Sequence, residues 1–335
     1  MATAARPLAA AKNRRVVLVV ALAALAAAGA VIGATLLQTR GETTTVPGAV
    51  VKPQPGLPPL ELNFGVDSSA ETRALAGAQT LYNDDHVAQA AAVFDRYHSL
   101  AAQIGSAFAA WNRNGISAIE RLAAAHPASG VVQLHLGLAE FWAGRNAKAV
   151  AAWEKTAKIA ADSPYGVRAE DLLHPGFKTG LPYLVLDFGP SRRIANLPAA
   201  KELAALAKAA AKPDAHAKLL YGSALWNLER PLSAERQFEA AARLAPHDPL
   251  ARTAAAVGAF TKANPVAAFS RLGPLTGVFP RSPVVRFHLG LLLLWTAKPK
   301  KAVGQFRLAA ADGPRSSYGE DARRLLAHLA RTRSK

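Results

Sequence analysis

Cysteine is absent from the 335 residues, so no disulfide framework, thiol nucleophile or cysteine-ligated metal is available to this chain. The short motifs of common enzyme chemistry are missing as well. There is no Gly-x-x-x-x-Gly-Lys-Ser/Thr phosphate loop, no His-Glu-x-x-His, no Gly-x-Ser-x-Gly and no Gly-x-Gly-x-x-Gly. The nine histidines are scattered, and the acidic pairs Asp84-Asp85 and Glu170-Asp171 lack any surrounding set of partners, so neither a metal site nor a catalytic group is expected. No cofactor is implied, and the chain reads as non-enzymatic. β-Branched runs are scarce after residue 67, which argues for an all-α architecture. Acidic residues are few, 23 against 40 Lys and Arg, for a formal charge of +17. The basic residues are dispersed over helical stretches, with modest clusters at Lys298–Lys301 and Arg323–Lys335, which favours solvated faces with a mild pull on anionic surfaces over nucleic-acid binding.

What is present begins with Val16–Leu37, 22 residues without a charge, long enough to span the roughly 30 Å of a bilayer core as a helix. Arg6, Lys12, Arg14 and Arg15 precede it, and this excess of positive charge predicts a cytoplasmic N-terminus (1–15), a transmembrane helix (16–37) and everything beyond it outside the cytoplasm. A cleaved signal peptide is the rival reading, but the apolar run is longer than the usual h-region. Gly29 and Gly33 form a Gly-x-x-x-Gly pair through which two anchors could pack as a homodimer. From 38 to 67 the prolines at 47, 53, 55, 58 and 59 predict an extended spacer. Ser68-Ser69-Ala70-Glu71 then has the spacing of a capping box and opens the first helix.

The remainder repeats itself. Pro246, Pro280 and Pro314 are each 34 residues apart, as are Ala234, Ala268 and Ala302, and Gly222, Ala256 and Gly290. Phe238, Leu272 and Phe306 keep the same step. Asp248-Pro249 and Ser282-Pro283, also 34 apart, pair an N-cap side chain with proline at the first helical position. A 34-residue period with Leu-Gly early, Ala and Phe later and Pro last resembles the tetratricopeptide repeat family. The resemblance implies pairs of antiparallel helices stacked into a superhelix, small residues where helices approach closely and large ones filling the gaps. It extends back over 68–173, where Val131–Leu138, Trp142 and Lys148–Val150 match Val284–Leu291, Trp295 and Lys301–Val303 at an offset of 153. That offset is no multiple of 34, so other material intervenes. It is visible as the Pro/Gly-interrupted insert 174–197 around Tyr183-Leu184-Val185-Leu186, after which repeats with a capping helix resume over 198–331. His135 and His288 occupy equivalent repeat positions and read as structural.

In the family this resembles, the first helix of each unit lines a concave groove that receives peptides or partner helices. Counting the signature Gly or Ala as position 8, the groove-facing positions are filled by Tyr82, Phe141, Trp142, Trp226, Asn227, Phe260, Leu294 and Trp295. Aromatic anchors dominate interface energetics, and such a groove suits an amphipathic helix or an extended apolar peptide. The Lys/Arg/Asn clamp that family members use for a C-terminal carboxylate is missing: Leu134 and Leu138, Leu219 and Ser223, Thr253 and Val257, and Phe287 and Leu291 stand in its place. The expectation is therefore a membrane-anchored extracytoplasmic scaffold that binds protein or peptide partners. The alternative is an envelope glycan- or lipid-binding protein, or enzyme accessory, acting through the insert and its Arg192-Arg193 pair.

Overall fold

A computed structural model of the chain describes residues 53–333. The predicted cytoplasmic segment, the membrane-spanning stretch with Gly29 and Gly33, and the first part of the spacer lie outside the described residues. Among those described, no helix is long and apolar enough to cross a membrane. They are all-α, with no strand, and they divide into two compact units meeting at Leu173/His174.

Unit 1 contains α1 (Ala70–Asn83), α2 (Val87–Phe94), α3 (Leu100–Ala109), α4 (Ile116–Ala125), α5 (Gly130–Trp142), α6 (Asn146–Ile159) and α7 (Pro164–Leu173). Three helical hairpins are followed by a single helix. A wide π-turn at Trp111–Gly115, with Asn114 out of helical geometry, joins α3 to α4 and makes a hairpin of the region whose repeat register is irregular in sequence. Unit 2 opens with a short turn of helix, α8 (Arg192–Ala195), and α9 (Ala199–Ala210). The same series then returns: α10 (Ala215–Asn227), α11 (Pro231–Leu244), α12 (Pro249–Gly258), α13 (Val266–Val278), α14 (Pro283–Trp295), α15 (Pro299–Asp312) and α16 (Ser317–Arg333). Consecutive helices pack on one another, and first helices of successive hairpins also touch (α1 with α3, α3 with α5, α10 with α12, α12 with α14). Each unit is thus a stack of hairpins of tetratricopeptide type.

The local chemistry explains the ends. Ser69 caps α1 by accepting from the Thr72 N–H at 3.2 Å, and Asp248 caps α12 by accepting from Leu250 at 2.9 Å, each satisfying a donor the helix leaves free. The turns inside the hairpins need one residue in the left-handed region. Gly144 supplies it at φ 77°, whereas Asp85, Glu229 and Ala297 occupy the same place at φ 63°, 56° and 54°.

Packing inside the hairpins follows the size alternation seen in sequence. A Cβ added to Gly222 or Gly290 would stand 2.5 Å from a ring carbon of Phe238 or Phe306, and one at Gly137 would overlap Trp153. The rings are completely buried because the facing helix offers no side chain there. Burying one such side chain is worth about 1.5–3 kcal/mol, and leaving the hole unfilled costs more still. In unit 2 these residues belong to one continuous core that runs from Leu184 and Leu219 to Tyr318 and Leu325.

Candidate functional site

In both units the surface made by the first helices holds an extended segment of the same chain, here termed a strap. In unit 1 it is residues 53–66, the latter part of the stretch that its proline content assigns to a spacer. In unit 2 it is residues 177–190, within the predicted insert. Gly56-Leu57-Pro58-Pro59-Leu60-Glu61-Leu62-Asn63-Phe64-Gly65 lies in one groove and Gly180-Leu181-Pro182-Tyr183-Leu184-Val185-Leu186-Asp187-Phe188-Gly189 in the other, 124 residues later. Gly56 and Gly180 open them with φ 77° and 75°, a left-handed bend that a side chain would strain. Pro58, Leu60, Pro182 and Leu184 are buried, with less buried residues between them, the period-2 pattern of an extended chain on an apolar surface.

The two straps are read at matching atoms. Near the C-terminal end of α1 the Tyr82 hydroxyl donates to Pro58 O at 2.8 Å, and near that of α10 the Trp226 indole N–H donates to Pro182 O at 2.6 Å. The Gln54 N–H donates to Trp142 O at 2.9 Å, and the Lys178 N–H donates to Trp295 O at 3.1 Å. Farther along, His135 Nε2 accepts from the Glu61 N–H at 3.2 Å and His288 Nε2 from the Val185 N–H at 3.0 Å. Each histidine uses Nδ1 to donate to the carbonyl one turn earlier, Val131 O at 2.7 Å or Val284 O at 2.8 Å. A carbonyl only accepts and a peptide N–H only donates, so both imidazoles are neutral, with the proton on Nδ1. Burial pushes both below the usual histidine value, His288 to about 4. The two tyrosines use different strap residues: the Tyr165 hydroxyl donates to Asn63 O at 3.0 Å, whereas Tyr318 donates to Val185 O at 3.2 Å, two residues short of the position equivalent to Asn63; burial raises both phenols.

The predicted groove residues fall around these contacts in different ways. Tyr82, Trp226 and Trp295 face the straps, Trp295 donating to Gly180 O at 3.3 Å beneath an edge-on Tyr183 ring at 4.9 Å, with the Lys178 ammonium over its face at 5.4 Å. Trp142 meets the strap through its carbonyl; its half-buried ring packs on Phe141, and its N–H has no partner. Phe141 and Phe260 are core residues. Leu294 is half-buried, and Asn227 is exposed.

Asn83, at the groove-facing position beside Tyr82, holds the unit 1 strap, as do residues the repeat pattern does not mark as groove-facing: Gln79, Tyr165 and Arg168, with His135, His288 and Tyr318, whose positions read as structural. Two signals in the sequence point to them, the copied Gly-Leu-Pro-x-Leu-x-Leu string and the Tyr165/Tyr318 pair, which shares the 153-residue offset of the two histidines.

One set of fastenings belongs to unit 1 alone. Asn83 accepts from the Leu60 N–H at 3.1 Å and donates to Leu60 O at 3.0 Å, and Gln79 forms the same reciprocal pair with Leu62. Four residues of helix rise about 6 Å and two of an extended chain about 6.6 Å, so amides one turn apart on α1 can bond alternate strap residues as a neighbouring strand would. Arg168 adds a two-pronged ion pair to Glu61, at 2.6 and 2.7 Å. In unit 2 the corresponding positions are Ser223, Asn227, Asp321 and Val185; Ser223 is too short for such a pairing, and Val185 and Asp321 do not supply the opposite charges of Glu61 and Arg168.

Charge separates the units further. Residues 53–173 carry nine Lys/Arg against twelve Asp/Glu, whereas residues 174–335 carry 25 against ten, so the basic excess belongs to the second half.

No family profile and no curated protein matches the chain. Among solved structures, it is similar to the APC/C hetero-tetramer Cut9–Hcn1, at 15% identity and a TM-score of 0.30 over 76% of this chain and 55% of that one. It is also similar to yeast Tom70, at 13% identity and a TM-score of 0.30 over 82% of this chain and 67% of that one. The chain thus spans about half the length of the first of these. Similarity at this level adds nothing to the fold, which rests on the hairpins themselves.

Proposed function

We propose that this protein is a non-enzymatic interaction scaffold, tethered to a membrane by residues 16–37 with its helical units outside the cytoplasm, and that its grooves bind extended segments of protein partners. The supporting observation is that each groove already holds an extended polypeptide, through hydrogen bonds from side chains to the peptide's main chain. A surface that supplies donors and acceptors at strand spacing, with pockets for alternate side chains, recognises polypeptide by the logic of strand addition. The aromatic anchors Trp226 and Trp295 give such a groove its expected hot spots. The test is crosslinking in intact cells followed by mass spectrometry. Partners should be captured by the native chain and lost from a folded Trp226→Ala/Trp295→Ala variant; equal capture by both would remove the groove from the reading. Cell fractionation and protease protection test the anchor and its orientation, and repeats shielded with the cytoplasm would overturn the placement.

The charge asymmetry favours a second reading, in which unit 2 engages an anionic glycan or lipid through the exposed Arg192 and Arg193. Binding to anionic vesicles that weakens steeply with salt and is lost on changing both to Gln would support it. Salt-independent binding, or none, would remove it.

A further inference from the structure

His135 and His288 are completely buried against the straps, and each has both ring nitrogens committed. Nδ1 donates to a carbonyl one turn earlier on its own helix, and Nε2 accepts from a strap N–H. An added proton can go only to Nε2. There it turns the acceptor into a donor, so the strap N–H meets another N–H, and the bond from strap to helix is lost while the one inside the helix stays. A buried imidazolium also needs a counter-charge. Around His135, α3 presents the Phe108 ring edge-on at 5.3 Å, and α7 contributes Tyr165 and Arg168, both bonded to the strap. The strap itself supplies the Glu61 carboxylate, which favours the charged imidazole. At the matching place in unit 2 the strap carries Val185. Around His288, α14 presents the neighbouring Phe287 ring and α16 the Tyr318 ring at 5.7 Å. The carboxylates of Asp187, on the strap, and Asp248, at the start of α12, both act on the Tyr318 phenol.

We propose that His288 is a proton-operated latch: on acidification its Nε2 takes a proton, the hydrogen bond from the Val185 N–H is broken, and residues 183–187 lift from the unit 2 groove. At neutral pH the latch is closed, and the strap is held by Trp226, Trp295 and Tyr318 as well as His288, with Leu184 in the core. Opening returns the imidazole to water, where it titrates near 6.5 in place of about 4. The open form therefore takes up the proton first, so the closed form has its full advantage above about pH 6.5 and loses it as the pH falls toward 4. Lifting the strap uncovers Trp226 and Trp295, which makes the groove available to a partner segment in acid. This last step rests on the scaffold reading; the latch itself does not.

The experiment is amide hydrogen exchange of the full chain, followed by mass spectrometry at pH 7, 6 and 5 and corrected for the intrinsic rate at each pH. Residues 183–187 should exchange about thirtyfold faster at pH 5 than at pH 7, with the dependence of a single proton, while α14 and α15 keep their protection. His288→Gln replaces the imidazole with a group that takes no proton, and the pH dependence of the strap should vanish. Corrected exchange that is equal at pH 7 and pH 5 would overturn the latch. So would a rise that α14 and α15 share, which marks unfolding of the hairpins, or one that persists in a folded His288→Gln chain. If that variant does not fold, the native chain still decides, since a one-proton rise confined to the strap supports the latch and its absence removes it. Strap opening without any captured partner leaves the latch and removes the scaffold reading; captured partners with a pH-independent strap would do the reverse.

Discussion

Where unit 1 meets its strap with Gln79, Asn83, Tyr165 and Arg168, unit 2 has Ser223, Asn227, Tyr318 and Asp321 at the corresponding points, and the asparagine and the tyrosine are shared. The substitutions go together. Glu61 and Arg168 form an ion pair in unit 1; their counterparts are Val185 and Asp321, and Asp321 lies 3.5 Å from Arg324. A second difference lies between strap and hairpins. Unit 1 passes from Val66 into α1 almost at once, whereas unit 2 inserts α8 and α9 before α10. The core interactions change far less: Gly137 against Trp153 is matched by Gly290 against Phe306. One architecture was therefore held constant in its hairpin packing and varied in how it retains the segment lying across it.

The equality of the cores can be broken first. Trp153→Ala and Phe306→Ala remove completely buried rings at equivalent places, and each should cost about 3–5 kcal/mol in chemical denaturation. A cost in one unit only would show that the hairpins are not energetically alike.

Protonation of the histidines has the next largest effect. His288 titrates at about 4 in the folded chain against about 6.5 unfolded, so between those values the unfolded chain binds the proton first. Its contribution is therefore complete above about pH 6.5 and is lost as the pH falls toward 4, on the order of 3 kcal/mol in all. His135 shifts in the same direction and adds to it. Denaturation midpoints at pH 4.5 and 7 should differ less in His288→Gln than in the native chain; an unchanged pH dependence would remove His288 from the account.

The asymmetry of the straps is tested by Asn83→Ala against Asn227→Ala. The first leaves the Leu60 peptide group without its two partners and should cost about 1–3 kcal/mol, with faster amide exchange over residues 58–62. The second changes an exposed side chain and should stay within about 0.5 kcal/mol. Equal costs would show that the Asn83 pairing does not distinguish the two straps.

The smallest effect concerns the α14–α15 turn. Ala297→Gly should stabilise by about 1 kcal/mol, because glycine meets φ 54° without strain, and Gly144→Ala at the equivalent turn of unit 1 should destabilise by a similar amount. Melting temperatures moving in opposite directions would confirm that the two turns are one structural position.

Much of the helical framework is legible without coordinates, because hairpin packing is local. The facing of Gly222 to Phe238, or Gly290 to Phe306, spans a few turns of chain and recurs every 34 residues, so the small and large columns are visible directly. The end signals at Ser69 and Asp248 are equally local. Of the predicted groove residues, Trp226 and Trp295 lie against the unit 2 strap, whereas Phe260 and Phe141 are buried in the hairpin core.

The straps are a different matter. Proline content around Pro53–Pro59 says that the chain there is extended, and it says nothing about whether an extended chain crosses solvent or lies on protein. His135 carries no mark of its partner, because the hydrogen bond that defines its role goes to the main chain of Glu61, 74 residues away, and a main-chain group is the same for every amino acid. From residue order alone come the helices, their period and the residues that let them approach. Which segment fills each groove, and how firmly, depends on bonds to featureless peptide groups, and those become visible only when the helices stand side by side at the spacing of an extended chain.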